Sequence, residues 1–215
     1  MPRYIGQGLV EKMGELAGLP PEDREVAAYG LEYLLSGTIG LALMLLIGLA
    51  LGCLWETLAM LCSWVLLRTL AGGAHCTALW RCTIVNCLGL LAALPATAAA
   101  VYLFPPALWI GAATAWTLLA AWLWAPNNSE RPVHDPGRRV RLRRKALILV
   151  LLIGASFLYF GFTGTEPVQI LTAAGATGLA CGGFMISPAG FRSIRWLDQK
   201  LVKLGQTCEK GGEKP

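Results

Sequence analysis

The sequence has little charge: 14% of its 215 residues are Asp, Glu, Lys or Arg, against 55% that are apolar. That leaves too little polar side chain to coat a soluble globule of this size, and with a positive mean hydropathy it puts the chain in the membrane class. Paired cysteines are missing as well. Seven cysteines (53, 62, 76, 82, 87, 181 and 208) form an odd, scattered set with no CxxC spacing, which excludes a secreted disulfide framework and reads mostly as small apolar side chains in helices. A basic start followed by an apolar run is also lacking. Residues 1–30 carry mixed charge (Arg3, Glu11, Lys12, Glu15, Glu22, Asp23, Arg24, Glu25), so no cleavable signal peptide is expected and the first membrane helix should do the targeting. No internal repeat is visible, and no nucleic-acid partner is expected.

What is present is a series of apolar blocks, each near the length of a bilayer crossing. They cover 31–54, 57 to about 69, about 82 to 104, 107–124, 146–162 and 168–186, with Pro105 and Pro106 ending the third. The second is short for the hydrocarbon layer and needs help from flanking residues, a thinned bilayer or partial re-entry. The hydrophilic stretch 125–145 reads as a basic loop. In the tail 187–215, Ile194, Trp196, Leu197, Leu201 and Leu204 are spaced for an interfacial amphipathic helix. The expected architecture is all-α: one polytopic membrane bundle over 1–215, with about six membrane-embedded helices and an amphipathic interfacial segment at each end, 1–30 and 187–215. Six crossings from a cytoplasmic N-terminus put all 18 Lys and Arg on the cytoplasmic side, leaving Glu56 and Glu166 as the charges of the outer turns. Trp109, Trp122 and Trp124 fall near predicted helix ends, as membrane-interface anchors do.

Reactive residues gather in the break between the second and third blocks, from Arg68 to Cys82. An imidazole that removes a thiol proton creates a nucleophile toward an amide carbonyl and keeps an acid for the leaving amine. His75 and Cys82 can form that pair, sharing a Gly-rich polar break, whereas Cys53, Cys62 and Cys181 lie in apolar runs without an ionisable neighbour in sequence. Cys76 and Cys87 compete as thiols. A metal site from His75, Cys76, Cys82 and Cys87 matches no usual zinc spacing, so neither metal nor other cofactor is expected, and His134 reads as a solvated loop histidine. On a continuous helix, seven residues would hold His75 and Cys82 about 10 Å apart along the axis. The pair therefore requires either a loop at 70–78 folded back over the next helix, with Gly72 and Gly73 giving the backbone freedom, or a partner subunit. Arg68 has two readings, as a clamp for a substrate carboxylate or as a fastener of that loop.

Arg68, six residues, then His75, with Gly73 two before the histidine and Cys82 seven after it, resembles the accessory gene regulator B (AgrB) family of quorum-sensing peptidases. The mixed-charge N-terminal segment, the six blocks and the Ala125-Pro126 pair followed by an Arg-rich run extend the likeness over most of the chain, while Cys76 and the high Ala and Trp content depart from it. The resemblance implies a cysteine endopeptidase of the bacterial cell membrane. Cys82, with His75 as base, would attack a carbonyl of a small AgrD-like propeptide, release its C-terminal part and hold the rest as a thioester. A Cys or Ser of the propeptide would then take the acyl group, giving a thiolactone or lactone. Arg138, Arg139, Arg141, Arg143, Arg144 and Lys145 have two readings, contact with an acidic propeptide region or with anionic lipid headgroups. A homodimer is expected from the Gly and Ala content and from the family. No third catalytic residue is assigned, since Glu56 is expected on the far side of the membrane. A non-enzymatic scaffold or small-solute transporter is the alternative, disfavoured because the blocks hold almost no ionisable residues.

Overall fold

The computed structural model describes residues 21–128 and 135–211. Among them are seven helices: α1 (Pro21–Ala50), α2 (Leu54–Ala71), α3 (Leu79–Leu103), α4 (Pro106–Trp124), α5 (Pro136–Thr163), α6 (Glu166–Ile186) and α7 (Pro188–Gly211). Two short strands, β1 (Gly72–Gly73) and β2 (Asn127–Asn128), complete the described elements. Most of the N-terminal segment 1–30, together with Arg131 and His134, lies outside the described residues.

Apolar runs become helices here because a backbone in hydrocarbon has to satisfy its own N–H and C=O groups. The five helices α2 to α6 are long and apolar enough to cross a membrane, and α1 carries a shorter apolar stretch, Leu34–Ala50. This is the expected all-α membrane bundle. The second crossing starts three residues earlier than its apolar block, so its 18 residues reach about 27 Å, close to the hydrocarbon thickness. Large apolar side chains such as Tyr102, Leu103, Leu152 and Phe162 are exposed on the outside of the bundle, where a membrane protein meets lipid.

At the centre stands α6, packed against α2, α4 and α5. Its inward face is built from Thr172 to Leu179 with Gly182 and Gly183, nearly all small, and small residues are what allow membrane helices to approach closely. Gly178 makes the closest approach, because a Cβ there would collide with the backbone carbonyl of Met60 in α2. Inside the bundle, Thr177 donates to the Ala173 carbonyl (3.0 Å) and accepts from the Trp109 indole (3.0 Å).

The basic stretch needs a correction. Read from sequence as part of a loop, it is helical from Pro136 onward, so Arg138 to Lys145 form the first turns of α5. The cap is local: the Asp135 carboxylate accepts from the backbone N–H of Gly137 and Arg138 (2.9 and 3.2 Å), and Pro136 occupies a first-turn position that needs no donor.

At the same end of the bundle, the segment after α2 is fastened by a parallel pairing of β1 with β2, Gly72 opposite Asn127 and Gly73 opposite Asn128. The Ala74 N–H donates to the Met185 carbonyl (3.0 Å) and the Asn127 side-chain amide to the Ile186 carbonyl (3.0 Å), tying both strands to the end of α6. Arg143 turns inward and donates to the Ala125 carbonyl (2.7 Å), anchoring the chain that leads into β2.

Candidate active site

Two glycines begin the site. Gly72 has φ 76° and Gly73 φ 145°, conformations that L side chains rarely adopt, and together they turn the chain out of α2 so that residues 74–78 pass over the start of α3. The folded-back loop required by the sequence spacing is thus present within one chain. His75 is half-buried on that loop, and its chain neighbours Ala74 and Cys76 share one packed cluster with Cys82. Cys82 sits in the first turn of α3, its own N–H donating to the Ala78 carbonyl (3.2 Å).

Arg68 resolves toward the loop. Its Nη2 donates to the Ala74 carbonyl (3.0 Å) and lies 2.8 Å from Nδ1 and 2.9 Å from Nε2 of His75. Its guanidinium is placed over the Trp64 ring, 5.2 Å from the centroid, which holds a long flexible side chain in one orientation. The orienting partner of His75 in this structure is thus a cation.

The neighbouring thiol has a separate part. Cys76 is buried against Ala74, Val85 and Ile194, with Cys82 packed on the same cluster. Its contact with the Cys82 side chain, then burial, pushes the Cys76 thiol well above its ordinary range. Among the described residues no group of three His, Cys, Asp or Glu converges as a metal site would require.

Sequence reasoning missed Asp198. It lies on α7, 6% exposed, and accepts from the Thr77 hydroxyl (2.8 Å) and the Thr77 N–H (3.3 Å) while pairing with Nε of Arg81 (2.9 Å). The signal was in the tail all along: Ile194, Leu197, Asp198 and Leu201 follow the i, i+3, i+4, i+7 spacing of a single helix face, which puts a carboxylate on the apolar side. Ile194 is buried on the loop cluster with Leu197 and Leu201 beside it, while Trp196 and Leu204 are exposed. The apolar face of α7 therefore roofs the loop. Next to it an apolar cavity of about 610 Å³ is lined by Met60, Trp64, Val85, Asn86, Ile194 and Leu197 among others. In the basic run, Arg138, Arg139, Arg141, Arg144 and Lys145 are exposed, and only Arg143 is drawn inward.

Comparison with known proteins agrees with this layout. A model of the family described as Accessory gene regulator B matches residues 6–186. A protein of Halalkalibacterium halodurans named for its likeness to AgrB is 28% identical over 198 residues, 88% of each chain. Another so named, from Listeria welshimeri, is 32% identical over 139 residues, 62% of this chain and 65% of its own. No solved structure matches. With the family's model covering the site loop and all five long apolar helices, this chain belongs to the accessory gene regulator B family.

Proposed function

We propose that this protein is a membrane cysteine endopeptidase that cuts a small quorum-sensing propeptide and promotes its cyclisation. Family membership supports the quorum-sensing role. The observation that carries the finer reading is that the folded-back loop brings His75 against Arg68 of α2 and packs its neighbours Ala74 and Cys76 on Cys82 of α3. His75 takes the thiol proton, the Cys82 sulfur bonds to a propeptide carbonyl carbon, and the proton passes to the leaving amine as the C–N bond breaks. The C-terminal fragment departs and the N-terminal part remains as a thioester. A Cys or Ser of the propeptide then attacks that thioester, closing a ring and returning Cys82 to its thiol. The roof of α7 and the apolar cavity beside it limit water, which favours ring closure over hydrolysis.

The proposal places the site at the cytoplasmic face with both termini in the cytoplasm, following the side that carries Lys and Arg. The exposed cations at the start of α5 are assigned to the acidic region of the propeptide or to anionic lipid headgroups, and a homodimer is retained as part of the reading. In cells co-expressing the chain with the propeptide encoded beside it, Cys82→Ala and His75→Ala should abolish cleavage while membrane insertion is unchanged. Mass spectrometry should find an acyl adduct on Cys82. Cleavage retained in either variant refutes the assignment, and an adduct on Cys76 moves the nucleophile.

A further inference from the structure

One carboxylate touches both ends of the reactive loop. Thr77 lies two residues after His75 and Arg81 one before Cys82, and Asp198 binds the two together: Oδ2 accepts from the Thr77 hydroxyl and N–H (2.8 and 3.3 Å) and Oδ1 faces Arg81 Nε at 2.9 Å. Arg81 closes the triangle by donating from Nη2 to the Thr77 hydroxyl. All of this happens where α3 begins without a side-chain cap of its own, since Ala78 precedes its first turn. Asp198 places a negative charge beside that end of α3, whose free N–H groups favour it, while its own bonds go to Thr77, just before the helix, and to the Arg81 side chain. A buried carboxylate is costly unless paired, so the contact holds α7 and the loop in one relative position.

We propose that Asp198 is a positioning residue of the Cys82 site, fixing the loop through Thr77 and Arg81 so that His75 is held over the start of α3, near the thiol. It touches neither the thiol nor the imidazole and acts through the backbone between them. The proposal rests on the peptidase reading for its biological meaning, but its geometry can be tested without a propeptide.

The test is the rate at which iodoacetamide alkylates Cys82 at pH 7 in the full-length protein, resolved peptide by peptide by mass spectrometry. Loosening the loop separates base from thiol, and the Cys82 rate should fall about tenfold in Asp198→Ala and in the same direction, less steeply, in Thr77→Val, misplacement of about 1 Å being enough to matter on this scale. Cys53, half-buried in the turn before α2 at the opposite end of the bundle, is the internal reference and should not change. A merely local negative charge predicts the reverse sign, because removing it would ease thiolate formation and speed alkylation. A role limited to holding α7 on the bundle predicts less membrane-inserted protein with an unchanged rate per molecule. If Asp198→Ala fails to accumulate, Asp198→Asn and Thr77→Val decide the matter. Rates within twofold of the parent, or faster, in those two variants overturn the proposal. Cleavage surviving in Cys82→Ala would refute the peptidase and leave this result standing, so the two failures are distinguishable.

Discussion

Gly72 and Gly73 set the direction of the loop, and their backbone angles reserve both positions for glycine. Placing a side chain at either costs about 1–3 kcal/mol of backbone strain, which the short β1–β2 pairing is poorly equipped to offset. Gly72→Ala should therefore cut propeptide cleavage about tenfold or more, measured per molecule of inserted protein. Wild-type cleavage in that variant would mean that the turn is not needed to bring His75 to Cys82. At this scale much of the site was legible. Arg68, Gly72, Gly73, His75 and Cys82 lie within 15 consecutive residues, so local spacing could nominate them and state the fold-back they require. Asp198 was not nominated because its partner Thr77 is 121 residues away, and an acidic residue in a basic tail looks like ordinary solvation until the face it occupies is drawn.

Among the elements, α6 decides whether the bundle closes. The Gly178 contact leaves no room for a methyl group, and the obstacle is the α2 backbone, which cannot rotate away as a side chain can. Gly178→Ala should lower stability by about 1–3 kcal/mol through overpacking, read as a reduced Tm in detergent, with Gly89→Ala, which meets open space, as the comparison. Equal Tm values would remove α6 from the centre of the energetics. Helix existence followed from apolar length, because hydrocarbon permits little else. Boundaries were harder. The start of α5 was hidden by its cations, although Asp135 and Pro136 together carried a cap signal, and the two-residue strands have no sequence signature, since Gly72 meets Asn127 only after two helices have packed.

For the molecule as a whole, the direction of each helix sorts its charges. Among the described residues from Glu56 onward, the cations of α2, α3, α5 and α7 share the end that holds the Cys82 loop, and Glu56 and Glu166 open α2 and α6 at the other. With the cation-rich end cytoplasmic, a membrane-impermeant maleimide should label Cys82 in inverted vesicles and not in intact cells. Labelling from outside intact cells would reverse the proposed orientation.

The clamp on the loop also has a place in time. His75, Cys82 and Arg68 leave the ribosome early, but Asp198 is made 121 residues after Thr77, roughly 6–24 s later at ordinary elongation rates. Until α7 has emerged and seated itself, the loop lacks the Asp198 contact, so a half-made chain carries the thiol without that part of its setting. On the proposed role of Asp198, full reactivity waits for α7, and a stop codon placed before Asp198 should slow a thiol encoded more than a hundred codons upstream.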